Sequence, residues 1–490
     1  MRYTLISRAT SLLDATLLIG AALMPTAASP QSTPPQWTPM VYTSLNGDTI
    51  TVDSARVGVP ERHGASGGKQ ISLAVMRFRS TAARPGAPVV FLAGGPGNAG
   101  TNSARGEVFS TIMALRSFAD VIVYDQRGTG RTLPSLVVRA PMGVIPLDAS
   151  ITSERARDAM LSSAKAAAAE IRSRDIDLSA YNTVESADDL DDLRRALAVD
   201  KIIVWGHSYG SHLAFAYVKR HEAHVERLVV SGVNGPDQRR RFPLDGDVLL
   251  SRIDSIIRRA PELSAAFPDF LGATRRLLDR LGQQPALVRV DSSDVSVGKA
   301  EIQLLIALQS GELAFVQSLP AMVAEMEAGD FSKVARVVRD GLKRRPLGTA
   351  MTYAMDMSSG ASAERMARIR EEAPRAILGG AINFPFDDPA YAEAWGIRPL
   401  PDDFRRPVVS KVPALFISGT LDGRTSITDA EEVRRGFANS GHIVVDGSAH
   451  TPYHLSEALR TEVVRFVTGD GPVSKHLVVE VRIRPPVGAR

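Results

Sequence analysis

The sequence predicts an α/β protein: a mostly parallel, doubly wound sheet that carries an inserted helical cap. Three observations lead to this prediction. Short apolar runs end at glycine-rich or polar segments, which is typical of strands buried on both faces of a parallel sheet. Helical patterns lie between several of these runs, as crossovers between parallel strands require. Between about 236 and 400 only long helical stretches occur, which indicates an insertion between two parts of one sheet.

The composition is that of an ordinary globular protein. The chain has 490 residues, of which 44% are apolar and 23% charged, and this excludes a disordered, collagen-like or coiled-coil chain. Lysine and arginine number 58 against 54 aspartate and glutamate, a net charge of +4 that gives no case for nucleic-acid binding. Cysteine is absent, which excludes disulfides, thiolate metal sites and a cysteine nucleophile.

The first 28 residues have the pattern of a secretory signal peptide. Arg2 and Arg8 precede a short apolar stretch, and small residues suited to cleavage follow it up to Ala28. Asp14 interrupts the apolar stretch, so the alternatives are a disordered cytosolic N-terminus or a start codon placed too early. We expect a signal peptide at 1–28 and a secreted or periplasmic protein. We expect no membrane span in the mature chain, because no later segment approaches the apolar length of a spanning helix.

The strands are predicted in chain order. Alternation with β-branched residues predicts strands at 48–52 and 71–78. Apolar runs predict buried strands at 88–93, 120–125, 201–205, 227–231, 414–418 and 443–446. The tail segment 476–483 alternates weakly and is a candidate edge strand.

The helices divide the chain into parts. Ser186 to Leu197 predicts a helix with Ser186 as its N-cap. Four helices are predicted in the insertion, at 249–258, 300–308, 319–326 and 331–342. We therefore place the first part of the core at 38–235, the helical cap at 236–400, the second part of the core at 401–470 and a C-terminal tail at 471–490.

Common cofactor motifs are missing from the sequence. It contains no phosphate-binding Gly-x-x-x-x-Gly-Lys-Ser/Thr loop, and Gly128–Gly130 lacks the third glycine of a dinucleotide fingerprint. His221 and His224 are spaced i, i+3, not the i, i+4 of a zinc-peptidase helix, so solvated helix residues are favoured over a metal site. We expect neither a metal nor an organic cofactor.

The segment Gly206–Gly210, Gly-His-Ser-Tyr-Gly, follows a predicted strand and precedes a predicted helix. This is the setting of a nucleophile elbow, in which a strained turn presents a serine and the helix N-terminus favours developing negative charge. Ser208 is therefore the candidate nucleophile.

A serine nucleophile needs a histidine base oriented by a carboxylate, in the chain order Ser, Asp, His for this kind of sheet. Asp422 and His450 each come just after a predicted strand, at the edge where α/β sheets build their sites. They are the candidate acid and base, and Asp429 and Asp446 are the alternative acids. His207, His212 and His442 are less well placed to act as the base.

The glycine-rich segment Gly94–Gly97 follows another predicted strand. Its glycines let the backbone approach a substrate carbonyl, and its N–H groups, at Gly94 and Gly95, are candidates to hold an oxyanion together with the N–H of Tyr209.

Four segments resemble the prolyl iminopeptidase and tripeptidyl aminopeptidase group of α/β-hydrolases: Gly94–Gly97, Tyr124–Arg131, Asp188–Arg194 and Gly206–Gly210. The likeness runs from about 55 to 235 and again from about 405 to 455. The resemblance implies an α/β-hydrolase fold with a helical cap and removal of residues from free peptide N-termini. It also implies the same roles for Ser208, Asp422 and His450.

In such relatives, acidic residues on the cap side bind the substrate amine. Asp356 lies in similar surroundings and is the candidate here, with Glu371 and Glu372 as alternatives and a surface or helix-capping role as the plain interpretation. The sequence thus predicts a serine aminopeptidase acting on a peptide, with an esterase or other small-molecule hydrolase as the alternative. It gives no indication of oligomeric state.

Overall fold

A computed structural model describes residues 34–65, 68–139 and 145–485. The signal peptide expected at 1–28 lies outside these residues. Twelve strands occur in the described residues: β1 Thr38–Thr43, β2 Thr49–Pro60, β3 Gln70–Phe78, β4 Val89–Leu92, β5 Val121–Asp125, β6 Ile202–His207, β7 Val225–Ser231, β8 Ala286–Val290, β9 Ser293–Val297, β10 Ala414–Gly419, β11 Ser440–Asp446 and β12 Lys475–Val478.

Ten of these strands form one sheet in the order β1-β2-β3-β5-β4-β6-β7-β10-β11-β12. The first three strands and the β3–β5 pair are antiparallel. All neighbours from β5 to β12 are parallel. The fold-class prediction is therefore confirmed, and each predicted core strand has a counterpart in the sheet. The tail contributes β12, which pairs with β11 at the edge of the sheet.

Sixteen α-helices occur in the described residues: α1 Gly100–Ser103, α2 Phe109–Leu115, α3 Glu154–Ser173, α4 Thr183–Ala196, α5 Tyr209–His221, α6 Leu244–Arg259, α7 Pro261–Ala266, α8 Phe270–Gln283, α9 Lys299–Gln309, α10 Leu313–Glu327, α11 Ser332–Val337, α12 Ala350–Ser359, α13 Ala363–Glu372, α14 Pro389–Trp395, α15 Ile427–Arg434 and α16 Glu457–Val467. Short 3-10 turns lie at Leu178–Ala180, Glu222–His224, Gly379–Asn383 and Asp402–Arg405, and a π turn at Val338–Lys343. Within the described ranges, none of the helices is both long and apolar enough to cross a bilayer.

Both faces of the sheet are covered. Val90 and Leu92 of β4 belong to a core that includes α4 and α5, whereas Val89 and Phe91 belong to a core that includes α2 and α16. Successive side chains of a strand point to opposite faces, so a strand between two cores is apolar at every position. This explains the uninterrupted apolar runs in the sequence.

Helix α4 begins earlier than predicted. Its N-cap is Asn182, whose side-chain oxygen accepts the backbone N–H groups of Val184 and Glu185. The predicted N-cap, Ser186, is wrong, because it lies inside the helix and is buried. Thr183 Oγ1 lies 3.0 Å from the Tyr209 hydroxyl, and this tertiary contact favours the earlier start.

Helices α6 to α14 lie between β7 and β10. Helices α6 to α11 pack around a separate apolar core, whereas α12 and α14 pack into the core that includes α4 and α5. The hairpin β8–β9 lies among them, in an insertion for which the sequence predicted helices alone. A two-residue turn joins its strands, and Asp291 in that turn has φ 52. Aspartate tolerates this left-handed conformation, which tight hairpin turns require.

Candidate active site

Ser208 lies in the turn between β6 and α5. Its backbone has φ 56 and ψ −124, a conformation that non-glycine residues adopt only where the surroundings enforce it. A Cβ atom at Gly206 would lie 2.5 Å from the Gly210 carbonyl oxygen, and one at Gly210 would lie 1.9 Å from that of Leu92. Strand, turn and helix therefore pack too closely for a side chain at either glycine. This crowding is the physical reason for the Gly-x-Ser-x-Gly spacing.

Asp422 and His450 are joined at the carboxyl edge of the sheet. His450 Nδ1 lies 2.7 Å from Asp422 Oδ2, and both residues are buried. Asp422 also accepts the Thr425 hydroxyl at 2.6 Å and the backbone N–H groups of Arg424 and Thr425 at 2.8 and 3.1 Å. Burial opposes ionisation of Asp422, but His450 and these donors together hold the pKa of its carboxyl below the usual range. An ionised Asp422 fixes Nδ1 of His450 as the protonated nitrogen.

The other ring nitrogen, His450 Nε2, is buried and has no hydrogen-bond partner. Its ring lies against the end of β7, where a Cβ atom at Gly232 would come within 2.7 Å of His450 Cε1. At the same end of β7, the Ser231 carbonyl oxygen accepts a hydrogen bond from the Ser208 backbone N–H at 2.9 Å. The structure thus brings Ser208 and His450 to the same end of β7.

The predicted oxyanion segment adjoins the elbow. A Cβ atom at Gly94 would lie 2.9 Å from Ser208 Cβ and 3.5 Å from Ser208 Oγ, so only glycine leaves room there. Gly95 has φ +112, a left-handed conformation that also favours glycine. Tyr209 is the first residue of α5, and its side chain is buried away from solvent. The predicted donor residues Gly94 and Tyr209 therefore both adjoin Ser208.

Asp356 lies in cap helix α12 and is not free. Its two carboxylate oxygens accept hydrogen bonds from Arg239 Nη2 at 2.6 Å and from Arg240 Nη1 at 2.8 Å. All three side chains are at least nine-tenths buried. Although burial opposes ionisation, the two arginines lower the pKa of its carboxyl. One negative charge against two positive charges leaves the cluster net positive. An incoming ammonium group would have to displace a guanidinium, so amine binding by Asp356 stays a prediction that its contacts do not favour.

The residues that the sequence offered as alternative acids, as poorer candidates for the base or as alternative amine-binding carboxylates all have other partners. Asp429 is paired with Arg365 at 3.0 Å, and Asp446 with His476 at 3.1 Å. His212 contacts the Gly235 carbonyl and the Ser359 hydroxyl, and His442 contacts Glu431 and Ser418. Glu372 pairs with Arg368, and Glu371 with Arg375.

The elbow histidine, His207, lies between the Ser231 and Thr451 hydroxyls, at 2.9 and 3.3 Å. Burial, with a contribution from His450, lowers the pKa of His207 to about 3. It therefore stays neutral at ordinary pH and adds no charge beside His450.

Sequence reasoning missed the residues that hold Asp422 in place. Thr425 lies three positions after Asp422, and an aspartate that accepts N–H groups two and three residues on is a common turn pattern. That pattern could have identified Thr425. No cluster of three or more potential metal ligands occurs in residues 34–65, 68–139 and 145–485.

Comparison with known proteins agrees with this architecture. Residues 87–252 match the alpha/beta hydrolase fold family, and residues 389–475 match the TAP-like protein family. Serine protease Hip1 of Mycobacterium tuberculosis is 28% identical over 189 residues, which cover 37% of this chain and 36% of the relative. Tripeptidyl aminopeptidase of Streptomyces coelicolor is 34% identical over 193 residues, which cover 37% of this chain and 35% of the relative.

A third relative from Streptomyces coelicolor, named "Probable proline iminopeptidase", is 30% identical over 148 residues, covering 30% of this chain and 33% of the relative. The matched part thus spans about a third of each of these relatives. The chain has the α/β-hydrolase fold, and it resembles the prolyl iminopeptidase and tripeptidyl aminopeptidase family.

Proposed function

We propose that this chain is a serine hydrolase of the aminopeptidase type, in which Ser208 is the nucleophile, His450 the general base and Asp422 the residue that orients it. The observation that supports this best is the buried Asp422–His450 pair, whose unpartnered Nε2 lies at the same strand end as the strained Ser208. Such a pairing activates a serine hydroxyl, which is a poor nucleophile by itself.

The proposed reaction proceeds through an acyl-enzyme. Ser208 Oγ attacks the substrate carbonyl while His450 Nε2 takes its proton, and the new oxyanion is held by the backbone N–H groups of Gly94, Gly95 and Tyr209. His450 then gives the proton to the leaving amine, the C–N bond breaks, and water activated by His450 hydrolyses the ester. Asp422 stays ionised throughout and stabilises the imidazolium that forms in each half-reaction.

The proposal of a peptide substrate rests on the relatives. Two of them are named for removing tripeptides or proline from peptide N-termini, and the TAP-like match falls on the part of the chain that contains Asp422 and His450. An esterase is the second candidate, and one observation favours it. The carboxylate expected to bind the substrate amine, Asp356, is already neutralised by two arginines.

One experiment separates the two candidates. Rates are measured on an aminoacyl arylamide, its N-acetylated analogue and a short-chain aryl ester. An aminopeptidase hydrolyses the free-amine substrate far faster than the acetylated one. Equal rates on both amides, or turnover of the ester alone, would overturn the aminopeptidase proposal in favour of an esterase.

The Ser208→Ala variant tests the chemistry common to both candidates. Loss of the nucleophile should lower kcat by roughly 10⁴- to 10⁶-fold, as removal of a triad serine does elsewhere. Ser318→Ala is the matched control, because the Ser318 hydroxyl donates only to a carbonyl of its own cap helix. Labelling by a fluorophosphonate at Ser208 should disappear in Ser208→Ala and persist in the control. Activity that survives Ser208→Ala would refute the assignment.

We also propose that the protein is exported, on the basis of the signal-like pattern at 1–28. N-terminal sequencing of protein from its native cell should find a mature end between about residues 25 and 33. An intact Met1 would contradict export.

A further inference from the structure

The peptide group between Ala93 and Gly94 is held by a side chain that the proposed mechanism does not use. Gln126 Nε2 donates a hydrogen bond to the Ala93 carbonyl oxygen at 3.1 Å, and Gln126 is only 2% exposed. The Ala93 carbonyl and the Gly94 N–H belong to one planar trans peptide, so they point in opposite directions. A donor that fixes the carbonyl therefore fixes the direction of the Gly94 N–H.

Gln126 is itself held firmly on both sides. Asp125 accepts the Thr101 N–H and hydroxyl, each at 2.8 Å, and the Arg131 N–H at 2.8 Å. On the other side, the Arg127 guanidinium is fully buried and paired with Asp189 at 2.6 Å. The Gln126 amide therefore projects from a rigid segment, and it can impose its geometry on the glycine loop.

The far end of the same loop is held from the cap. Thr352 Oγ1 in α12 donates to the Pro96 carbonyl oxygen at 2.9 Å. A Cβ atom at Gly97 would lie 2.3 Å from Thr352 Oγ1 and 2.8 Å from Thr349 Cγ2, so helix and loop are in direct contact. The carbonyls of Ala93 and Pro96 thus have separate anchors, with Gly94 and Gly95 between them.

We propose that Gln126 is a positioning residue for the oxyanion hole: it orients the Gly94 N–H through the Ala93 carbonyl, and Thr352 holds the other end of the loop. This inference rests on the proposed serine hydrolase function. A hydrogen bond to the carbonyl also polarises the N–H of the same peptide, which strengthens that N–H as a donor to the oxyanion.

The test uses Gln126→Met, which keeps the length of the side chain and removes the donor. The matched control is Gln303→Met, because Gln303 is also buried and its Nε2 donates to the Ile377 carbonyl at 2.7 Å, within the cap. Active enzyme is titrated in each preparation with a fluorophosphonate, so that the kinetic constants refer to folded protein. Thr352→Val, which acts on the same loop from the cap, is measured in parallel in case Gln126→Met does not fold.

Removing an oxyanion donor costs about 10²- to 10³-fold in kcat, and misorienting one should cost less. We therefore expect kcat to fall by roughly 5- to 50-fold in Gln126→Met, with KM changed by less than about twofold. The inhibition constant of a substrate-like aldehyde, which forms a tetrahedral adduct, should rise by the same factor as kcat/KM falls. Gln303→Met should change neither quantity, and Thr352→Val should change them in the same direction as Gln126→Met.

Three results would overturn the inference: a loss confined to KM, an unchanged aldehyde affinity, or an effect no larger than that of Gln303→Met. Failure of the fluorophosphonate to label Ser208 in the unmodified protein would instead refute the proposed function, and the inference with it. Normal labelling together with unchanged kinetics in both loop variants would refute the inference alone.

Discussion

Arg127 and Asp189 form a bidentate ion pair in the interior of the protein, with both side chains almost fully buried. Nε and Nη2 of Arg127 donate to the two carboxylate oxygens of Asp189 at 2.8 and 2.6 Å. The remaining nitrogen, Nη1, donates to the carbonyl oxygens of Glu61 and Ala180 at 2.7 and 2.5 Å. The segments 124–131 and 188–194, which carry the family resemblance separately in the sequence, are thus one unit in the fold.

Asp189→Asn should destabilise the protein strongly. The substitution keeps the shape but removes the bidentate counter-charge of Arg127 and leaves only the more distant Glu185, whose Oε2 lies 3.9 Å from Nη1. Breaking a buried pair costs up to about 3–5 kcal/mol. Urea denaturation measures the change in the free energy of unfolding. Glu480→Gln is the control, because Glu480 pairs with Arg482 on the surface and its loss should have no measurable effect. Similar losses of unfolding free energy in the two variants would mean that the buried pair stabilises the protein no more than a surface pair does.

Gly232→Ala should impair catalysis by pressing on the proposed base. A Cβ atom there would lie 2.7 Å from Cε1 and 3.0 Å from Nδ1 of His450, while Asp422 holds the ring in place through Nδ1. We expect kcat/KM to fall at least about tenfold, since small displacements of a catalytic group are costly.

Gly329→Ala is the matched control for this substitution. Gly329 has φ +92 and Gly232 has φ +53, so alanine is strained at both positions, but nothing lies within 4 Å of a Cβ atom at Gly329. Backbone strain should cost both variants about 1–2 kcal/mol of stability. Gly232→Ala should lose more because of its contact with His450, and only Gly232→Ala should lose activity. An equal effect of the two variants on kcat/KM would show that backbone strain, not contact with His450, is responsible.

The sheet and the strained turn at Ser208 could be predicted because local patterns determine them, whereas Asp422 and His450 are selected by chain order and by their places after strands, and the structure brings these two together. A strand that lies between two cores is apolar at every position, so an apolar run predicts it. The crowding at Gly206 and Gly210 requires glycine at both positions, which gives the recognisable Gly-x-Ser-x-Gly spacing. The resemblance also identified segment 124–131, although its role as a support for Gln126 is visible only in the contacts.

Other features depend on contacts between distant parts of the chain. The two arginines that neutralise Asp356 lie more than 100 positions before it. A local sequence pattern therefore cannot predict this pairing. The helix α3 was missed because its buried face is largely alanine, including Ala164, Ala167 and Ala168, which gives a weak apolar period. The start of α4 at Thr183, by contrast, has a local cause that sequence reasoning overlooked, because the Asn182 side chain caps the helix by accepting the N–H groups of Val184 and Glu185.

The stabilising effect of His63 should depend on pH. Its Nδ1 lies 2.7 Å from Glu185 Oε2 and its Nε2 lies 3.1 Å from Asp192 Oδ2. Burial and the nearby Arg127 disfavour the charged ring, but these two carboxylates, together with Asp189 at 3.8 Å, outweigh them and raise the pKa of His63 to about 9.

A folded-state pKa above the unfolded value means that the stabilisation is complete below about pH 6.5 and is lost as the pH rises through about 9. The difference in unfolding free energy between the unmodified protein and His63→Gln should therefore be larger at about pH 6 than at about pH 10. Urea denaturation at the two pH values measures it. A difference that is constant, or that grows with pH, would contradict the raised pKa.

Asp356→Asn decides between two roles for this carboxylate. Since both oxygens of Asp356 are occupied by Arg239 and Arg240, we expect the substitution to leave two buried guanidiniums poorly compensated. The free energy of unfolding should fall, and kcat/KM for a free-amine arylamide and for an aryl ester should fall by similar factors. Asp254→Asn is the control, because Asp254 pairs in the cap with the largely exposed Arg258.

If Asp356 instead binds the substrate amine, kcat/KM for the free-amine substrate should drop by roughly ten- to a hundredfold, which corresponds to the loss of a charged hydrogen bond, while kcat/KM for the ester stays unchanged. That selective loss would show that a substrate ammonium displaces a guanidinium from Asp356.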